Sequence, residues 1–104
     1  MNPDIIAEIR FKTSEEGGRK TAVGGSNAAV DFYGCPFIVD GKAFDCRLLL
    51  GGQLLELGQT YHVPVKFLNS QFVLGKLFEG KEFILWEGKP IGSGKVLRIV
   101  SVED

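Results

Sequence analysis

A chain of 104 residues has room for one domain and little for a second, so residues 1–104 are read as a single unit. Hydrophobic residues make up 44% and charged residues 24%, and eight Phe with one Trp supply a core, which excludes disorder as the dominant state. Lys plus Arg is 12 and Asp plus Glu is 13, a net charge of −1, which excludes a dedicated DNA binder and leaves any RNA contact to a local basic patch.

Strand signals run the length of the chain. Ile5–Thr13 alternates, with Ala7, Ile9 and Phe11 on one face and Glu8, Arg10 and Lys12 on the other. Ser14-Glu15-Glu16-Gly17-Gly18 reads as a turn, because the paired glycines permit positive φ. Arg19–Asn27 is Gly-rich and polar, an expected exposed loop. Val30–Tyr33 and Pro36–Val39 are two short strand candidates. Asp40-Gly41 between apolar runs predicts a hairpin turn. Ala43–Leu50 resumes alternation, with Phe44, Cys46, Leu48 and Leu50 on one face, and Gly51-Gly52 breaks it. After the Leu57-Gly58-Gln59 turn, Thr60–Leu68 places Tyr61, Val63, Val65 and Phe67 together, and Pro64 marks an edge or a bulge. Asn69–Gly80 is a loop region with at most a short irregular element; this segment and the 20s loop are the pieces expected to move. Lys81–Glu87 is a strand, Glu87-Gly88-Lys89-Pro90 a turn, and the last strand runs from about Lys95 to Val102. No stretch carries sustained helical periodicity with both caps. About six or seven short strands with regular turn signals predict an all-β fold, a small antiparallel barrel or sandwich.

Chemistry-bearing residues are sparse. Cys35 and Cys46 lack CxxC spacing, so they form neither a zinc site nor a thioredoxin motif. They read as two reduced thiols of a cytosolic protein, able to bond if adjacent strands bring them together. The start, Met1-Asn2-Pro3-Asp4, shows no signal peptide, and no apolar run reaches bilayer-spanning length, so the expectation is a cytoplasmic protein with no membrane partner. Gly88–Lys95 reads GKPIGSGK but has Lys89 where a phosphate loop needs its first Gly and Val96 where it needs Ser or Thr. A strand-like run follows, so a Gly-rich β-turn and bulge is the better reading. His62, the single histidine, sits at an outward strand position with no nucleophile or orienting carboxylate in view. Cys35 has no neighbouring base or cation in sequence to activate it. Glu15-Glu16 and Glu79 with Glu82 look like solvated charges. No catalytic, cofactor-binding or metal-ligating residue is assigned.

Two features are candidate contacts. Arg19-Lys20, flanked by Gly17-Gly18 and Gly24-Gly25, puts two cations on a Gly-rich loop that can meet phosphates or stand solvated. Trp86 lies with Glu82 and Ile84 on the polar-facing side of Lys81–Glu87; it is either core or an interface anchor.

Two segments together resemble a known family. Glu16-Gly17-Gly18-Arg19-Lys20-Thr21 is followed, after a loop, by Asp31-Phe32-Tyr33; later Phe83-Ile84-Leu85-Trp86-Glu87-Gly88 runs into Ile91-Gly92-Ser93-Gly94-Lys95-Val96. These resemble the C-terminal β-barrel, domain 3, of bacterial elongation factor Tu and related translational GTPases, which carry EGGR-H-T, Q-F-Y and FAIREGGRTVGAG at the matching places. Leu57-Gly58-Gln59 to Phe67 is similar to the family's PGD turn and following strand, and the likeness spans residues 7 to 100 or so, in order. The resemblance implies a six-stranded antiparallel barrel. In the parent factor this barrel packs on the GTPase domain, contacts the T stem of aminoacyl-tRNA and helps bind the nucleotide exchange factor. GTP hydrolysis belongs to another domain, so the resemblance implies no GTPase activity here.

The departures bear on function. Arg19 and Lys20 occupy the family's Arg-His pair, which touches the tRNA backbone. The family's Y-R-P before Q-F-Y becomes Ala28-Ala29-Val30, and its Thr-rich segment becomes Gly34-Cys35-Pro36-Phe37. The two arginines of L-R-F-A-I-R become Glu82 and Trp86, and the loop before Lys81 is longer. Losing cations, and reversing one, weakens phosphate binding and removes bidentate donors. The expected function is a non-catalytic binding module for a protein partner. The alternatives are an RNA-binding module using Arg19, Lys20, Lys89 and Lys95, and an enzyme with an unrecognised site at Cys35 or His62. A homo-oligomer formed through strand edges is compatible with each.

Overall fold

The computed structural model describes residues 2–24 and 31–100. Its strands are β1 (Ile5–Phe11), β2 (Val23–Gly24), β3 (Phe32–Val39), β4 (Lys42–Leu49), β5 (Leu54–Leu55), β6 (Thr60–Phe67), β7 (Glu82–Trp86) and β8 (Pro90–Ile99). Two 3-10 turns, Ser70–Phe72 and Leu74–Lys76, lie between β6 and β7. Six strands close an antiparallel barrel in the order β1-β6-β4-β3-β7-β8, and β2 pairs with β5 in a separate ribbon.

The period-2 pattern decides which side chains enter the barrel, since successive residues of a strand face opposite sides. Ile5, Ala7, Ile9 and Phe11 of β1 are fully buried, as are Val65 of β6, Leu85 of β7 and Ile91 of β8. Phe37 is the centre of the packing, edge-on to Phe67 at 4.8 Å and stacked on Phe83 at 4.1 Å. Such aromatic pairs add about 0.5–1.5 kcal/mol each beyond the area they bury. The β2–β5 ribbon brings Val23 and Leu55, both buried, over the barrel end where β1 and β4 finish. Segment 68–81 crosses the opposite end.

The Asp40-Gly41 hairpin forms as expected, with φ of 52° and 75° at its two central residues, the left-handed pair that matches strand twist. The turn after β1 is fixed by exchange: the Glu16 carboxylate accepts the Thr13 N–H at 2.9 Å, and Thr13 Oγ1 accepts the Glu16 N–H at 3.2 Å. The Thr13 N–H on the carboxylate, and then Arg10, hold the Glu16 carboxyl below its ordinary pKa.

Several expectations are corrected. Pro36–Val39 and the preceding strand candidate are one strand, β3, running through Gly34 and Pro36; Val30 lies outside the described residues. Pro36 is tolerated because β3 meets β7 only at Phe37 and Ile38, so the ladder asks no N–H of it. Pro64 is inside β6, one residue past the last β4 pair, Leu48 opposite Val65. The last strand starts at Pro90 rather than near Lys95 and ends at Ile99; Ser101 and Val102 lie outside the described residues. The expected Arg19–Asn27 loop contains β2, and its part from Gly25 on lies outside the described residues. Segment 69–80, expected to move, is anchored by Val73, fully buried, and by Leu77.

Candidate interaction surface

The 18–24 loop is drawn onto the barrel by one side chain. Arg19 Nη1 donates to Glu87 Oε2 at 2.8 Å and to Tyr33 Oη at 3.0 Å, and its Nε donates to the Thr21 carbonyl at 3.2 Å. The guanidinium also lies over the Tyr33 ring, 5.1 Å from its centroid. Tyr33 Oη in turn donates to the Glu87 carboxylate. Burial, and then this bond to Glu87, push the Tyr33 hydroxyl above its ordinary pKa, so it stays a donor into the alkaline range. Three distant parts of the chain therefore meet at the end of β1, the start of β3 and the β7–β8 turn.

This clasp corrects the expectation that Arg19 stands exposed on its loop. Its side chain is only 20% exposed, and its charge is spent on Glu87. Lys20, next to it, is exposed, as is Lys89 on the turn after Glu87. Arg19, Lys20, Trp86 and Lys89 are thus brought to one region. Lys95 is not: it sits on β8 between Glu82 of β7 and Glu8 of β1, opposite both in register. Lys95 is exposed, and two carboxylates on the flanking strands make its surroundings unfavourable to a phosphate.

Trp86 is not core. β7 sends Phe83 and Leu85 inward and Glu82, Ile84 and Trp86 outward. Ile84 is 41% exposed and Trp86 39%. Ile38 of β3 lies opposite Ile84 in register, so the apolar strip crosses from β7 to β3. Beside it lies an open groove of about 740 Å³, lined by Ile38, Asp40, Glu82, Ile84, Ser93 and Lys95 together with residues of β1 and β6. Lys95 is the one sequence candidate lining it. Trp86 follows two residues along the same outward face. Ile84 shares the outward parity of Trp86 on β7, a signal present in the sequence, whereas Ile38 joins the strip only through the β3–β7 pairing.

No protein-family model and no curated protein matches the chain.

GKPIGSGK forms part of the barrel wall. A Cβ at Gly94 would land on the Glu8 carbonyl oxygen and the Phe83 ring, and one at Gly92 would come within 3.0 Å of the Arg10 carbonyl oxygen. These glycines let β8 lie close against β1. His62 is exposed and faces Glu8 across the β1–β6 ladder. Cys35 and Cys46 are buried, free, and directly opposite each other across β3 and β4. Among the described residues, no helix is long and apolar enough to cross a membrane.

Proposed function

We propose that this chain is a non-catalytic binding module, on a barrel of the elongation factor Tu domain-3 kind, that docks a protein partner through the outward face of β7. The observation carrying this reading is the exposed pair Ile84 and Trp86, continued onto β3 by Ile38 and bordered by the groove. Aromatic anchors beside aliphatic neighbours, rimmed by charge, are the usual composition of a binding hot spot. A cytoplasmic location belongs to the same reading, in keeping with two free thiols.

Lys20 and Lys89 flanking the clasp keep RNA as a second reading, reduced from four cations to two. A photo-crosslinking residue placed at 84 or 86, with one at the exposed turn residue Gln53 as control, separates the readings in native lysate. One protein captured from 84 and 86 but not from 53, and lost on Trp86→Ala, supports protein docking. Crosslinked RNA, or equal capture from all three positions, overturns it.

A further inference from the structure

Independently of that reading, we infer that Cys35 and Cys46 are a disulfide-forming pair, closed by a small hydroperoxide such as hydrogen peroxide. The two residues face each other in the β3–β4 register, and both point into the barrel. The ladder direction follows from the Leu50 N–H donated to the Asp31 carbonyl: pairs two apart share it, so Cys35 and Cys46 are a hydrogen-bonded pair. Opposite residues of that kind hold their Cα atoms about 5.5 Å apart, inside the roughly 4.4–6.8 Å that a disulfide spans. Their Cβ atoms start farther apart than the roughly 3.8 Å the bond prefers, so closure strains the hairpin and yields a reducible bond.

Access decides the oxidant and the order of events. Cys35 is 7% exposed and Cys46 1%, so the barrel admits a peroxide and shuts out a bulky disulfide. The Cys35 side chain, and then burial, hold the Cys46 thiol protonated, and Cys35, the less buried of the two, is the sulfur a peroxide reaches first. Cys35 Sγ attacks one peroxide oxygen; the S–O bond forms, the O–O bond breaks, and the departing hydroxide leaves as water with the thiol proton. Cys46 Sγ then attacks the sulfenic sulfur; the S–S bond forms, the S–O bond breaks, and the departing hydroxide takes the Cys46 thiol proton and leaves as a second water. The two sulfurs together lose two electrons, and the peroxide gains them.

The full-length chain is treated with hydrogen peroxide, unfolded, alkylated and mapped by mass spectrometry. The expected result is a crosslinked Cys35–Cys46 peptide lighter by two hydrogens, with alkylatable thiols falling from two to none and returning with reductant. In Cys46→Ser, shown to be folded by circular dichroism, the same treatment leaves a dimedone-reactive sulfenic acid at Cys35. Wild-type mapping tests the pair even if that variant does not fold. Two thiols still alkylatable after treatment, sulfinic acids without a crosslink, or a bond only between chains would overturn the inference.

Discussion

At the scale of single residues, the polar groups that matter join parts of the chain far apart in sequence. Asp4 is 1% exposed, and its carboxylate accepts the Phe67 N–H at 2.9 Å, with the Lys66 ammonium at 3.4 Å. Its backbone bonds Val65 on one side and Val100 on the other, so one residue knots β1 between β6 and the end of β8. Asp4→Ala orphans the buried Phe67 N–H and is expected to cost about 1–3 kcal/mol in urea unfolding. The Arg19 clasp is more exposed at Glu87, 49%, and solvent screens it, so Glu87→Gln is expected to cost about 1 kcal/mol or less. Tyr33 gives this clasp a pH signature. Its folded pKa is raised above the ordinary 10.0, so folding is fully favoured below that pH. Above it the unfolded chain loses the Tyr33 proton while the folded chain keeps it, and stability falls as the pH rises toward the folded value. Unfolding free energies from pH 8 to 11 should therefore drop less steeply in Tyr33→Phe than in the wild type. Equal slopes would remove Tyr33 from the alkaline loss.

At the scale of elements, legibility tracked the alternation of side chains. β1, β4 and β6 alternate cleanly, and their inward residues could be named from the sequence because one face of each is buried. β3 and β8 were cut short because Gly34, Pro36 and the glycines of GKPIGSGK look like breakers, while the ladder tolerates each of them for a reason a single strand does not reveal. At Pro36 the β7 partner runs out; at Gly94 the neighbouring strand leaves no space for a Cβ. Gly94→Ala is accordingly expected to cost about 3 kcal/mol, near the top of the range for overpacking, because backbone rather than a flexible side chain blocks the methyl. The thin β3–β7 seam makes a second prediction. Phe37 and Ile38 are the only β3 residues paired there, and Gly34 turns its N–H to that side, away from β4. Its amide should exchange at least about tenfold faster than that of Phe37, read by native-state hydrogen exchange. The exposed strip was half legible: Trp86 drew notice by its type, and Ile84 shares its parity. Ile38 joined them only through pairing across β3 and β7, and the partner of Arg19 was illegible because Glu87 lies 68 residues away.

At the scale of the whole molecule, charge arrangement decides between partners more sharply than net charge does. A net charge of −1 says little, since any cations could gather on one face. Of the four cations the RNA reading named, the fold pairs one, Arg19 against Glu87, and sets another, Lys95, apart from the clasp on β8, opposite Glu82 and Glu8 in register. Lys20 and Lys89 remain. Each phosphate neutralised contributes about one unit to the slope of log affinity against log salt, so these two support a slope no steeper than about −2 with bulk tRNA. A basic groove making six or more contacts would give a slope at least about three times larger. Titration of tRNA at several low salt concentrations should return the shallow value. Lys20→Ala with Lys89→Ala should abolish the remainder, while Arg19→Ala should leave it unchanged, because Arg19 is committed inside the molecule. A steep slope that collapses on Arg19→Ala would mean that the clasp opens to receive phosphate, and RNA would then displace a protein as the partner this barrel is built to hold.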